Sequence, residues 1–248
     1  PLTRPQLAER LATHGLRLEG QALPHLVGYA ALHGVVCCGP DRGARPTYVL
    51  LEDWLPGWPS RIAPQPWETA LQELARRYLA AYGPAGPEDL ASWSGLPLRE
   101  ARAAWRQVAP ELVEVEAAGR AAWLSPRHRP WLAELGDESD DQGGHPPVVR
   151  LVAGYDTYLL GYRSRDFAVP PEHARRVHPG GGLLHPTLLA DGRAVGTWRT
   201  VARQDSLDVV VTPFDAIPGA VGQALEAEVS DVGRFLGAAT TRCVLAPT

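Results

Sequence analysis

The sequence contains no lysine, methionine or asparagine, and all 24 of its basic residues are arginine. Without lysine there is no glycine-rich phosphate loop that ends in Lys, so that class of nucleotide site is excluded. We attribute the arginine-only composition to a G+C-rich coding bias rather than to selection for phosphate binding. The net charge of −4 does not by itself favour a partner that is a polyanion.

Cysteines and long apolar runs are also scarce. Cys37, Cys38 and Cys243 are too few for a disulfide framework, and reduced thiols are typical of the cytoplasm. His33 precedes Cys37 by four residues, but a fourth ligand at metal spacing is missing, so we expect no metal and no cofactor. No run is long enough to cross a bilayer and no secretory leader is present. These absences predict a cytoplasmic protein without a membrane partner.

The acidic charge is concentrated in one segment. Residues 133–147 hold five acids and no arginine, whereas residues 1–132 hold 14 arginines against 13 acids and residues 148–248 hold ten of each. Clustered like charge with few apolar side chains is typical of a mobile linker. We therefore expect an acidic linker to separate the two larger parts of the chain.

Two stretches repeat one pattern, a short helix, a turn, a second helix and a tight hairpin. The first lies within residues 1–56 and the second within residues 84–132. An amphipathic helix predicted over Trp67–Tyr82 bridges them. This order is that of the winged helix, and two copies in tandem indicate a surface for nucleic acid.

The second helix of the second copy carries a stripe of arginines. Its core face is predicted from apolar residues at helical spacing, which are Leu98, Ala101, Trp105 and Val108. Arg99, Arg102 and Arg106 follow the same spacing one residue later, so three guanidiniums share one exposed face. We predict that this face contacts duplex DNA. Two alternatives remain open. An arginine stripe is also common on a helix face that contacts only solvent. Helix–turn–helix units with a hairpin also serve as protein-interaction scaffolds.

Other arginines are candidates for phosphate contacts. Arg42, Arg45 and Arg120 lie at the predicted hairpin tips, where a wing reaches the DNA backbone. Arg199 and Arg203, on a predicted hairpin of the C-terminal part, are further candidates.

The C-terminal part changes from helical to strand periodicity. Several short strands and one long helix, Gly219–Leu236, predict a small barrel-like or α+β domain. The fold class is thus α+β, with two tandem winged helices and a β-rich C-terminal domain. The predicted organisation is a winged helix at 1–56, a bridging helix at 57–83, a winged helix at 84–132, an acidic linker at 133–147 and an α+β or barrel-like domain at 148–248.

No known hydrolase motif accompanies these patterns. Neither a Gly-x-Ser-x-Gly elbow nor a His-Glu-x-x-His zinc motif occurs. The cluster from Tyr155 to Arg165 mixes aromatics, an acid and arginines. We expect a folding motif there, in which Asp156 satisfies buried amides or pairs with an arginine.

Several stretches together resemble a known family. They are Leu50–Pro56, Ala75–Ala85, Trp93–Leu96, Tyr155-Asp156 with Leu159–Arg163, and Gly196–Arg199. In this order they are similar to the bacterial winged-helix DNA-binding family that includes the AlkZ-type DNA glycosylases.

The resemblance implies tandem winged helices around a β-rich domain and the excision of alkylated bases, including those in interstrand cross-links. It also implies a catalytic motif of Gln, an apolar residue, and Gln or Asp near the N-terminus of the first winged helix, which positions the attacking water. None of the eight glutamines here begins such a motif, so no residue is assigned to catalysis. Because the chain starts at Pro1 and the resemblance begins at the family's second winged helix, we expect a fragment that lacks the first.

The sequence therefore predicts a monomeric protein that binds double-stranded DNA, of the DNA-repair glycosylase type that acts on alkylated or cross-linked bases. Its catalytic motif is not present in this chain, so we expect base excision only if the missing N-terminal unit carries that motif. One alternative is a non-enzymatic winged-helix transcriptional regulator, which would dimerise to match its half-sites. Another is an interaction scaffold that binds no nucleic acid.

Overall fold

The computed structural model describes residues 1–58, 65–117, 119–135, 146–204 and 206–247. Two compact units divide the chain, Pro1–Pro66 and Trp67–Thr248. The central part of the predicted acidic linker, residues 136–145, lies outside the described residues. Within the described ranges, every helix is too short or too polar to cross a bilayer.

The first unit is built from short helices and a three-stranded sheet. Its elements are β1 Leu2–Thr3, α1 Arg4–Thr13, α2 Ala22–Leu32, β2 Val36–Arg42, β3 Arg45–Leu50 and α3 Leu51–Trp54. Gln6 caps α1, because its side-chain oxygen accepts from the Thr3 backbone N–H at 3.0 Å. The three strands form an antiparallel sheet in the order β1-β3-β2. Leu23 is buried, whereas Tyr29 and Leu32 of the same helix are exposed.

The second unit begins with helices and a second hairpin. Its elements are α4 Trp67–Tyr82, α5 Pro87–Ser94, α6 Leu98–Val108, β4 Val113–Ala117, β5 Arg120–Leu124 and α7 Arg129–Leu135. Gly95 ends α5 with a φ of 74°, a left-handed conformation that glycine adopts without strain. Ala101, Trp105 and Val108 of α6 are buried with Tyr78 of α4 in one core, which confirms the predicted register of that helix.

The C-terminal part of this unit is one open sheet. Its elements are β6 Val149–Val152, α8 Thr157–Leu160, α9 Ala174–Val177, β7 Thr187–Ala190, β8 Arg193–Ala202, β9 Leu207–Pro213, α10 Gly219–Leu236 and β10 Thr241–Leu245. The strand order is β10-β9-β8-β7-β6. Helix α10 packs on the sheet through Val221, Leu225 and Val229 and returns the chain as β10 parallel to β9.

The barrel-like expectation is therefore wrong for the described residues. Strands β6 and β10 lie at opposite edges of the sheet and do not pair. The long connection through α10 places β10 beside β9 instead of beside β6, so the sheet stays open. The broader prediction of a mixed α+β fold is confirmed.

The segment from Tyr155 to Arg165 joins the helical part to the sheet. The Asp156 carboxylate accepts from the Tyr158 backbone N–H at 2.8 Å, which caps α8. The buried Tyr78 hydroxyl of α4 donates to the Gly161 carbonyl at 2.7 Å. This segment is thus a folding motif, and α4, α5 and the sheet belong to one compact unit.

Candidate nucleic-acid interface

Helix α6 presents its three arginines to solvent. Arg99, Arg102 and Arg106 are all exposed, because they follow the buried positions of the helix by one residue. We call this surface the α6 arginine face, defined by Arg99, Arg102 and Arg106.

One of these arginines is already engaged. Arg102 donates from Nε and Nη2 to Glu88 Oε1 of α5, at 3.1 and 2.7 Å. The hydrogen bond from this guanidinium lowers the pKa of Glu88 below its ordinary value. A phosphate at the α6 arginine face would compete with Glu88 for Arg102.

The other two are less constrained. Arg99 Nη2 lies 3.8 Å from Glu100 Oε1, and its side chain is 86% exposed. Arg106 has no ion pair within the described ranges. Both guanidiniums are therefore available to an anion in solvent.

In the first unit, the predicted arginines lie at the tip of the β2–β3 hairpin. Arg42 pairs with Arg45 across the strands, and Gly43 makes the turn with a φ of 61°. The Arg42 guanidinium donates to the Pro1 carbonyl at 3.0 Å and to Gln6 Oε1 at 3.3 Å. Arg45 is exposed. Arg42 therefore already holds the N-terminal segment against the hairpin, although its side chain remains exposed.

On the C-terminal sheet, the two candidates differ. Arg199 is exposed on β8. Arg203 donates to Asp208 Oδ2 at 2.9 Å, and Arg242 donates to Oδ1 of the same buried carboxylate at 3.0 Å. These two guanidiniums lower the pKa of Asp208. Arg203 therefore has a structural partner, whereas Arg199 is not committed to one in the part of the chain described.

Arg120, at the tip of the β4–β5 hairpin, lies at the edge of a cleft of about 1130 Å³. The cleft lies between this hairpin, the start of α5 and residues 162–178. We call it the arginine cleft, defined by four exposed arginines that line it, Arg120, Arg163, Arg175 and Arg193. No sequence pattern had indicated a role for Arg175 or Arg193, and Arg163 had been expected only within a folding motif. They are distant in sequence, and only the fold brings them to one surface.

Comparison with known proteins gives three matches. The family model described as DNA glycosylase AlkZ-like matches residues 1–235. A curated relative from Streptomyces sahachiroi, named interstrand DNA cross-link repair glycosylase, is 34% identical over 212 residues, which are 84% of this chain and 53% of the relative. The chain thus spans about half the length of that relative. A solved structure, Streptomyces sahachiroi DNA glycosylase AlkZ, matches with a TM-score of 0.71 and 27% identity over 99% of this chain and 65% of that one.

Proposed function

This chain belongs to the AlkZ-like DNA glycosylase family, and from that premise we propose that it holds duplex DNA for the repair of alkylated or cross-linked bases. The observation that carries the proposal is the α6 arginine face. A glycosylase must grip the DNA backbone while a base leaves the helical stack, and arginine is well suited to bind phosphate.

We infer that the two repeats of helix, helix and hairpin are winged helices. Helices α1 and α2 precede the β2–β3 hairpin, and helices α5 and α6 precede the β4–β5 hairpin. In such modules the second helix enters the major groove and the hairpin reaches the backbone. Helix α6 occupies the position of the groove-reading helix, and its exposed face is the one that carries arginine.

The second helices of the two proposed modules differ in charge. The exposed side chains of α2 and of the residue that caps its C-terminus include His25, Tyr29 and His33 rather than arginine. Helix α6 has three arginines on its exposed face. We therefore propose that the second module supplies most of the electrostatic attraction, and that Arg42 and Arg45 add backbone contacts from the first hairpin.

Base excision itself is not assigned to this sequence. The glutamine motif expected from the resemblance has no counterpart among its eight glutamines. We assign to this chain the binding of the duplex, as a monomer.

The test is binding to duplex DNA over a series of salt concentrations. Each phosphate contact adds about 0.9 to the slope of log affinity against log salt, so replacing Arg99, Arg102 and Arg106 together with Ala is expected to reduce the slope by about 2.7. The matched control replaces Arg77, Arg150 and Arg234 with Ala. These exposed arginines are each paired with a carboxylate elsewhere in the same unit, so the change in net charge is the same.

The outcomes separate the candidates. A reduced slope for the α6 variant and an unchanged slope for the control support the proposal. Equal slopes for both variants and the original chain would remove α6 as the DNA-facing helix. A chain that binds no duplex at any salt concentration would favour the scaffold. A dimer in sedimentation that binds paired half-sites would favour the regulator.

A further inference from the structure

The arginine cleft gathers four cations that lie within ion-pair distance of no carboxylate among the described residues. Elsewhere in the unit, many arginines lie within ion-pair distance of a carboxylate. These pairs are Arg76–Glu111, Arg77–Glu73, Arg102–Glu88, Arg150–Glu228, Arg203–Asp208, Arg234–Asp231 and Arg242–Asp208. In the described ranges, the four exposed arginines of the cleft have no such partner. Like charges that converge on a concave surface raise the local potential and attract an anion.

Hydrogen bonds hold the backbone at or next to two of these arginines. The Arg163 backbone N–H donates to Asp89 Oδ1 at 3.0 Å. Arg193 follows the Asp191-Gly192 turn between β7 and β8, and the Tyr158 hydroxyl donates to the Gly192 carbonyl at 3.0 Å. These two hydrogen bonds hold the backbone of Arg163 and the residue before Arg193 at the wall of the cleft.

The carboxylates that face the cleft are mostly engaged. Five arginines and three acids line it, the acids being Glu88, Asp89 and Asp166. Glu88 is bound by Arg102 from outside the cleft. Asp89 accepts from the backbone N–H groups of Gly86 and Arg163, at 2.9 and 3.0 Å. The fifth arginine, Arg165, donates to the Leu159 carbonyl. The lining therefore holds two more arginines than acids, and one of those acids, Glu88, is in addition paired with Arg102.

The walls of the cleft also carry aromatic side chains. Trp123, Tyr162 and Phe167 line it, and Tyr162 contacts Phe167 with ring centroids 4.8 Å apart. Apolar walls reduce the screening of charges by water and provide surface for a sugar or base. A cleft of about 1130 Å³ is also far larger than a single inorganic phosphate requires.

Glu88 lies between this cleft and the α6 arginine face. It is bound by Arg102 of that face and also lines the cleft. The two cationic surfaces are therefore adjacent on either side of the start of α5.

We propose that the arginine cleft binds the sugar–phosphate backbone of DNA, as a second contact surface beside the α6 arginine face. This inference rests on the proposed DNA binding. It adds the surface that the DNA backbone contacts after it leaves α6. The same phosphate chemistry could be offered by a free nucleotide, so the experiment includes that source.

The experiment uses the full chain with Arg163, Arg175 and Arg193 replaced by Ala. Binding to a duplex is measured over a salt series, beside the control triple variant at Arg77, Arg150 and Arg234. Loss of three phosphate contacts is expected to reduce the salt slope by about 2.7. Inorganic phosphate and thymidine monophosphate are added separately as competitors. If the triple variant does not fold, as judged by its melting transition, the exposed single variant Arg175→Glu replaces it and is expected to weaken duplex binding.

The outcomes distinguish this inference from the proposed function. If the original chain binds duplex through α6 but the cleft variant has an unchanged slope, the cleft inference alone is overturned. If the original chain binds no duplex, both fail. If thymidine monophosphate binds at micromolar concentration and displaces no duplex, the cleft is a free-nucleotide site and the backbone assignment is wrong. A reduced slope, with weak competition by both small phosphates, supports it.

Discussion

Replacing Glu88 with Gln should strengthen binding to DNA. Glu88 Oε1 accepts both hydrogen bonds of Arg102, so a phosphate that approaches the α6 arginine face must displace a carboxylate. Gln keeps the size of the side chain and removes its charge. Arg102 then becomes available, and the edge of the arginine cleft loses one negative charge.

The size of the effect follows from the exposure of the ion pair. The side chains of Arg102 and Glu88 are 53% and 35% exposed, and exposed pairs of this kind contribute about 0.2–1 kcal/mol. Recovering that free energy on binding gives an affinity about 1.5- to 5-fold higher at 25 °C. The free energy of unfolding should fall by less than about 1 kcal/mol, since the same pair is lost from the folded protein.

The assay is fluorescence anisotropy with a labelled duplex at low salt and neutral pH. Glu73→Gln is the matched control, because Glu73 accepts from Arg77 at 2.7 Å on α4, away from both cationic surfaces. We expect no change in affinity for the control. An unchanged affinity for Glu88→Gln would mean that Arg102 does not bind phosphate. A reduced affinity would mean that Glu88 holds Arg102 in its binding position.

Two further predictions concern the framework that holds these surfaces. Tyr78→Phe leaves the Gly161 carbonyl without its buried donor. It should reduce the free energy of unfolding, measured by urea titration, by about 1–3 kcal/mol. An unchanged urea midpoint would contradict a stabilising role for the hydrogen bond between Tyr78 and Gly161. Because Arg203 and Arg242 lower the pKa of Asp208, its contribution to stability is present above about pH 4, the unfolded value, and is lost as pH falls further. Asp208→Asn should lessen the loss of stability between pH 5 and 2. An equal loss in the variant and in the original chain would argue against this role of Asp208.

The helices that present the candidate surface could be predicted from local periodicity. Helix α6 was predicted because buried residues recur along it at helical spacing, and a helix that packs on a core must expose the complementary positions. Arg99, Arg102 and Arg106 are exposed for that reason. The ion pair between Arg102 and Glu88 could not be predicted, because it depends on how α5 and α6 cross.

In the C-terminal sheet, hydrophobic periodicity was not sufficient to predict the bounds of the strands or their pairing. The apolar run Leu183–Leu189 is typical of a strand, whereas the strand observed is Thr187–Ala190 and Leu183 is exposed. An apolar run indicates burial but not the strand beside which it lies. The parallel pairing of β10 with β9 depends on the crossover through α10, and no local pattern encodes it. The arginine cleft could not be predicted from local patterns either, because it forms from residues as far apart as Arg120 and Arg193.

Mass spectrometry after modification of arginines with phenylglyoxal can show whether α6 faces the DNA. Because all 24 basic residues are arginine, one reagent reports on every candidate contact, with and without duplex. If α6 faces the DNA, duplex protects Arg99, Arg102 and Arg106, while Arg77 and Arg234 react equally in both conditions. Full reactivity of the three α6 arginines in a saturated complex would show that α6 does not face the DNA.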